Sequence, residues 1–253
     1  MQKGKEGLQP SRTLNVKNLD GTSCVGTAEC LKRWQQHVHG VLNVQSSFKA
    51  DVSDRMRQRP MREDMGNDIS MEELNIAMDT LKTKKAGGRN GVLPEMVKWG
   101  GSEEEVLKLM NSVWNGQGGL AVWRNAISVP VPKKGDLSIC DNSRGVALLD
   151  VWGKVFARVV QGRLRVVGEE NLSDSQCGFR KHWGTIDMVF SAKQLVEKTR
   201  EHVSKGFLVF VDQKKAYDSV PRKNMWKVLS KYGIPDKMVE KNWGLHERME
   251  AQV

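Results

Sequence analysis

The sequence predicts a helix-rich α+β fold, and three patterns carry that prediction. Beyond residue 70, apolar residues recur at helical spacing behind recognisable helix starts. Residues 127–132 alternate like a strand, and residues 207–211 form a continuous apolar run of strand length. The expected order is therefore helices, a short ribbon, more helices, one central strand and final helices.

The N-terminal part, residues 1–69, is polar, mixed in charge and broken by Gly and Pro. It is expected to be an extension or linker, partly disordered and without a core of its own. Residues 27–43 are the exception, because their apolar residues have helical spacing and predict one helix. Those residues are Leu31, Trp34, Val38 and Leu42.

Two helices should begin with capping boxes, in which a Ser is followed three residues later by a Glu. Ser70 and Ser102 are the two N-caps. The first helix is expected to end at Gly87–Gly88 and the second before Gly116. Their apolar faces are Met71, Leu74, Met78 and Leu81 in the first, and Val106, Leu109, Met110, Val113 and Trp114 in the second.

Residues 127–132 read Ile-Ser-Val-Pro-Val-Pro. Proline cannot donate a ladder hydrogen bond, so this strand fits only a sheet edge or a short ribbon. A basic turn follows at residues 132–136 and contains Lys133 and Lys134.

Two further helices are expected at about residues 149–167 and 185–203. The run 207–211 then predicts a fully buried central strand that ends at Asp212. A helix from Pro221 to Gly233 and a last helix from about Asp236 complete the pattern. In the first of these helices the residues expected to face inward are Trp152, Phe156, Val159, Val160 and Leu164. The apolar residues of the other helices are Met188, Val189, Ala192, Leu195 and Val196, and then Met225, Trp226 and Leu229.

Composition narrows the class of protein. Of 253 residues, 40 are Lys or Arg and 30 are Asp or Glu, a formal charge of +10 that fits either a self-repelling soluble surface or a polyanion-binding face. No apolar run is long enough to span a bilayer, and the N-terminus lacks the apolar centre of a signal peptide. Four cysteines are too few for a disulfide scaffold, so an intracellular, non-secreted protein without a membrane partner is expected.

Asp212 is the most informative single residue. A carboxylate at the end of a buried strand costs free energy unless a partner compensates it, and Mg²⁺ prefers carboxylate oxygens. A helix N-cap, or an ion pair with Lys214 or Lys215, would compensate it equally well.

Segment 207–221, which contains Asp212, resembles the first catalytic motif of reverse transcriptases of LINE-type non-LTR retrotransposons. Four other blocks resemble the same family and occur in its order: residues 87–95, 127–136, 142–149 and 175–180. The resemblance implies a partial right-hand polymerase fold. Its divisions would be an N-terminal extension (1–69), a fingers-like region (70–205) and the start of an incomplete palm (206–253).

The resemblance also implies roles. Asp212 would be the catalytic aspartate that holds Mg²⁺, with the backbone carbonyl of Gln213 as a further ligand. Tyr217 would exclude the ribose 2′-hydroxyl, although a Tyr that fills a helix–sheet interface has the same local pattern. The remaining positions are Arg144, at the incoming triphosphate; Gln176, Gly178 and Phe179, under the templating base and the nucleotide; and Lys133, Lys134 and Arg180, at the template.

Several of these residues have an ordinary structural alternative. The two lysines also fit a solvated turn, Gly178 a tight turn and Arg180 a plain surface position. The partners implied by the family are an RNA template, a DNA primer and deoxynucleoside triphosphates, in the nucleus or cytoplasm.

Several positions depart from the family pattern. Trp183 stands where a small or basic residue is usual, Gln213 replaces the commoner Leu, and Ser143 replaces an aromatic residue. The second catalytic motif contains an Asp-Asp pair, and none occurs among the 253 residues. The chain is therefore expected to be truncated before that motif and inactive alone. The alternatives are a non-catalytic nucleic-acid-binding module and a non-functional retroelement remnant.

Two weaker groupings are expected to carry no site. Cys24, Cys30, His37 and His39 have zinc-binding residue types, but their spacings match no common zinc finger. Asp212 and Asp218 lie six residues apart, and Asp218 is expected to cap the following turn.

Overall fold

Helices and one small sheet alternate along the chain in the computed structural model, which describes residues 16–43, 51–213, 216–217 and 220–252. Single 3₁₀ turns occur at Glu63–Gly66 and Cys140–Asn142. The helices are α1 (Gly26–Leu42), α2 (Asp51–Asp54), α3 (Met71–Asp79), α4 (Pro94–Trp99), α5 (Glu103–Trp114), α6 (Leu120–Trp123), α7 (Val151–Asn171), α8 (Thr185–Glu201), α9 (Arg222–Lys231) and α10 (Asp236–His246). The strands are β1 (Ala126–Pro132), β2 (Ser143–Leu148) and β3 (Ala251–Gln252).

The chain divides into two compact units. The first contains the described residues up to Val160 and those from Tyr217 onward, and the second contains Gln161–Ala216. The helix-rich α+β class is confirmed, whereas the expected assignment to fingers and palm, with borders after residues 69 and 205, stays a prediction.

β1 is the middle strand of the sheet. It pairs antiparallel with β2 from Ile127↔Leu148 to Pro132↔Ser143, and parallel with β3 at Ala126 and Ile127. Over Pro130 and Pro132, β2 is the one partner among the described residues, which is the ribbon geometry that prolines allow. The sequence pattern did not reveal β2, because its residues are mostly exposed and show no alternating buried face.

An aromatic cluster forms the core of the first unit. Trp114 on α5 and Phe156 on α7 are fully buried with ring centroids 6.0 Å apart, and Trp123 on α6 lies 5.6 Å from Phe156. Gly153 makes this packing possible, because a Cβ there would lie 2.9 Å from the Cβ of Trp123. The indole N–H of Trp114 donates to the carbonyl of Gly66 at 3.2 Å, so the cluster also holds the chain before α3.

Residues 58–70 are part of the first unit and are hydrogen-bonded to its helices and turns. The side chain of Asn111 both accepts from the N–H of Ile69 (2.7 Å) and donates to its carbonyl (2.9 Å). The N–H groups of Arg59 and Arg62 donate to the carbonyls of Lys231 and Gly233, each at 2.9 Å. This part of the expected linker is therefore fixed against α5 and the turn after α9.

The expected helix at residues 27–43 is confirmed as α1. Trp34 is buried as predicted, whereas Leu31 and Leu42 are exposed. Trp34 instead packs with Val16, Cys30 and Cys140, so α1 shares a small core with the segment between β1 and β2.

The two predicted helix starts differ in detail. Ser70 forms the complete capping box with Glu73, but α3 ends at Asp79 rather than at Gly87. Leu81, two residues beyond the helix, is the last buried apolar residue before a run of lysines. α5 begins at Glu103 without the predicted box. Ser102 has φ −117° and ψ 41° rather than the extended backbone of an N-cap, and its hydroxyl lies 3.4 Å from the carbonyl of Gly100. α5 ends before Gly116, as predicted.

The later helices lie where the pattern places them. The inward residues of α7 are confirmed for Phe156, Val159 and Val160, which are buried, while Trp152 and Leu164 are half-buried. α9 and α10 also match, and Met225, Trp226 and Leu229 are half-buried.

The prediction of α8 is confirmed within two residues, and none of its residues is buried. The prediction of a central strand in the second unit is wrong. Residues 207–211 form no strand, and their exposed fractions run from 57% at Leu208 to 91% at Phe207. A central strand needs hydrogen-bonded neighbours, and in the described part of the chain β1, β2 and β3 pair only with one another.

Alanine substitutions at two glycines of α7, one beside the aromatic cluster and one away from it, test the packing of the cluster. Gly162→Ala should stabilise the protein by about 1 kcal/mol, because Gly162 has nothing within 4 Å and alanine favours a helix. Gly153→Ala gains the same propensity but pushes into Trp123, at a cost of about 1–3 kcal/mol. Urea unfolding followed by circular dichroism measures both. Equal stability of the two variants would contradict the packing.

Candidate functional site

Three of the predicted basic residues lie together at the end of the β1–β2 ribbon where residues 133–142 connect the two strands. Lys133 and Lys134 are exposed in the turn that follows β1, and Arg144 is exposed on β2 opposite Val131. The N–H of Lys133 donates to the carbonyl of Asn142 at 2.7 Å, which continues the ribbon pairing past Pro132. The arrangement presents three cations on one short hairpin, as a polyanion site requires.

Asp136 fixes the turn that carries these lysines. One carboxylate oxygen accepts from the N–H (2.9 Å) and the hydroxyl (2.7 Å) of Ser138, and the other accepts from Lys17 at 3.1 Å. The hydroxyl of Ser138, its N–H and then Lys17 lower the carboxyl pKa of Asp136 to about 2. The left-handed backbone of Gly135, at φ 109°, makes the turn possible.

The role of Asp136 was missed from the sequence. The signal was present, because an Asp followed two residues later by Ser is typical of an Asx turn. Lys133 and Lys134 give the turn its positive charge, whereas Asp136 determines its conformation.

Four predicted residues lie on the loop between α7 and α8, in the second unit. Arg180 is the most restrained of them: only 9% of its side chain is exposed. Its guanidinium donates to Glu169 at 3.0 Å and to the carbonyls of Ser173 (3.1 Å) and Gln176 (3.3 Å). A phosphate contact by Arg180 would have to compete with these bonds.

Gln176, Gly178 and Phe179 are exposed on the same loop. The side-chain amide of Gln176 donates to the carbonyl of Gly178 at 3.3 Å, and the buried Cys177 anchors the loop between them. Phe179 has the left-handed φ of 63° and is 94% exposed. The loop therefore holds an aromatic ring outward, a conformation that costs free energy for a bulky residue.

Asp212 and Gln213 are exposed in the non-helical segment that follows α8. Tyr217 is 73% exposed. Lys214, Lys215 and Asp218 lie outside the described residues, and so do the alternative pairing and capping interactions that involve them. The predicted roles of Asp212, Gln213 and Tyr217 stay predictions.

The fit to a metal ion is incomplete. Asp212 and the carbonyl of Gln213 offer the oxygen ligands that Mg²⁺ prefers, but the ion requires about six ligands in octahedral geometry. Within the described ranges, no group of three His, Cys, Asp or Glu side chains could hold a metal ion. This absence among the described residues also applies to the weaker grouping of Cys24, Cys30, His37 and His39.

Comparison with known proteins places these residues in context. Residues 131–253 match the family model described as reverse transcriptase (RNA-dependent DNA polymerase). The transposon TX1 uncharacterized 149 kDa protein of Xenopus laevis is 26% identical over 191 residues. That alignment covers 74% of this chain and 14% of the Xenopus protein, so the chain spans a small part of its relative. In the part of the chain that the structure describes, no helix has the length and apolarity to cross a membrane.

The matched range contains every predicted site residue from Lys133 to Tyr217. The block at residues 87–95 lies outside it.

The titration of Asp136 tests how the basic turn is held. Because its pKa is lowered in the folded protein, its stabilising effect is present above pH 3.8 and is lost as the pH falls towards 2. Carboxyl-carbon NMR should give a pKa of about 2, and Ser138→Ala should raise it more than Lys17→Ala does. An unshifted pKa, or a larger rise in Lys17→Ala, would contradict the geometry.

Proposed function

We propose that this chain supplies the template- and nucleotide-binding part of an RNA-directed DNA polymerase of a LINE-type retrotransposon, because residues 131–253 match the reverse transcriptase family model. The observation that carries the proposal is the family match, which spans all the predicted site residues. The transposon relative from Xenopus laevis supports the same origin.

Arg144 would bind the incoming triphosphate. Its planar guanidinium makes paired hydrogen bonds to phosphate, and its exposed position on β2 leaves it open to a ligand. Lys133 and Lys134 would add charge from the adjoining turn and hold the template backbone. Asp136 restrains the turn through its bonds to Ser138 and Lys17, so the two lysines would be preorganised for binding.

Asp212 would provide the first metal-binding carboxylate, with the carbonyl of Gln213 beside it. In this family divalent metal ions supply charge neutralisation during phosphoryl transfer, which is the chemistry that Mg²⁺ would bring. Tyr217 would select deoxynucleotides through its ring. Gln176, Gly178 and Phe179 would lie under the templating base.

Two observations support inactivity of these 253 residues alone. They contain no Asp-Asp pair, and a two-metal reaction needs more carboxylates than Asp212 provides. The apolar run before Asp212 is exposed and pairs with no described strand, so the carboxylate is not held with the accuracy that catalysis requires. A segment that carries the second motif would supply both the ligands and the strand partner.

A non-catalytic nucleic-acid-binding module is the second candidate. The incomplete metal site favours it, because the described residues present clustered cations without a metal-binding group. This candidate predicts salt-dependent binding but no synthesis after the second motif is supplied.

Primer extension on a polyadenylate template with an oligothymidylate primer, dTTP and Mg²⁺ tests the proposal. The chain alone should give no product, whereas its fusion to the Asp-Asp-bearing segment of a related reverse transcriptase should extend the primer. Asp212→Asn in the fusion should lower extension by roughly a thousandfold, because the metal loses a ligand.

Asp79→Asn, an exposed change on α3, is the matched control and should leave extension unaltered. Extension by the chain alone that falls in Asp212→Asn would contradict the need for a second segment. A folded fusion that binds primer–template without extending it would favour the non-catalytic module.

A further inference from the structure

Trp183 departs from the family pattern, and its ring has a defined contact in the second unit. It lies on the loop between α7 and α8, three residues after Arg180. The guanidinium carbon of Arg180 is 5.0 Å from the centroid of the Trp183 ring, a cation–π contact. Trp183 is 41% exposed.

The exposed fractions of Arg180 and Trp183 show which of the two side chains is buried. Arg180 keeps 9% of its side chain exposed and is bonded to Glu169 and to two loop carbonyls, so it forms the protein side of the pair. Trp183 lies above it and retains an open surface. An exposed indole supported from beneath by a fixed guanidinium is a preformed stacking surface, because little side-chain freedom remains to be lost on binding.

The charged residues around Trp183 favour a negatively charged ligand. Lys181 and His182 are exposed immediately before it, and Phe179 stands outward four residues earlier. Of the nearby acidic groups, Glu169 is paired with Arg180, and Asp187 accepts from the N–H of Gly184 at 2.7 Å. Asp174 is exposed farther back on the loop. The exposed Lys181 between two exposed aromatic rings matches single-stranded nucleic acid, whose bases stack while its phosphates pair with cations.

We propose that Trp183, supported by Arg180, stacks an unpaired base of a single-stranded nucleic acid. The inference rests on the proposed function in taking nucleic acid as the partner. It adds a contact site that the family resemblance does not supply, since a small or basic residue is usual at this position. The stacking contributes to affinity without adding charge.

The test measures the affinity of the full chain for a fluorescein-labelled oligodeoxythymidylate of about 12 nucleotides, a typical length for such sites. Fluorescence anisotropy is read at several salt concentrations. Trp183→Leu keeps an apolar side chain against Arg180 but cannot stack, so it should weaken binding by about fivefold or more. Trp183→Phe should retain most of the affinity. Trp99→Ala removes a 68% exposed tryptophan from α4 in the first unit and should change nothing.

Two further readouts separate stacking from charge. An abasic oligonucleotide of the same length should bind the wild type and Trp183→Leu equally, because it offers phosphates without bases. The slope of affinity against salt should be unchanged in Trp183→Leu, since no phosphate contact is lost. The double variant Lys133→Ala/Lys134→Ala should reduce that slope by about 1–2.

The outcomes distinguish the two proposals. Equal binding of oligothymidylate by Trp183→Leu and the wild type, with both melting alike by circular dichroism, would overturn the stacking role alone. An unchanged salt slope in the double lysine variant would count against the proposed template contact while leaving Trp183 untouched. Absence of any binding by the wild type would overturn both.

Discussion

The packing of Trp114 against Phe156 is the interaction on which the first unit depends. It joins α5 to α7, and Trp123 extends it to α6, directly before β1. The indole of Trp114 also binds the carbonyl of Gly66, and Lys237 of α10 lies 5.4 Å from its ring. Helices distant in sequence therefore meet at one aromatic cluster. The cluster places the β1–β2 ribbon, and with it the exposed cations, on a rigid base.

The surrounding structure holds some of the predicted functional residues in place more firmly than others. Lys133, Lys134 and Arg144 lie on a paired ribbon whose turn is fastened by Asp136. Asp212 follows an apolar run that is exposed and pairs with no described strand. The chain thus presents ordered positions for the proposed polyanion contacts and an unsupported position for the proposed catalytic carboxylate. That contrast is the physical basis for proposing that a further segment completes the site.

The success of the sequence predictions followed the range of the interactions only in part. Ser70 and Glu73 form their capping box within one helical turn, whereas Ser102, with the same spacing to Glu105, forms none because its backbone is not extended. The apolar run 207–211 shows a tendency towards burial, but burial also needs a partner strand, which a local pattern cannot supply. The bonds of Arg180 to Glu169 and to the loop carbonyls depend on a tertiary turn, so its near-complete burial was not visible from residue type.

Amide hydrogen exchange followed by mass spectrometry tests this account most directly, because exchange reports local opening of the backbone. Peptides from α5 and from the first half of α7 should exchange slowly, at rates set by unfolding of the aromatic cluster. Peptides covering residues 206–213 should exchange within seconds, like unpaired chain, and should become protected when a segment carrying the second motif is fused. Slow exchange of residues 206–213 in the chain alone would contradict the central claim that Asp212 lacks its structural support.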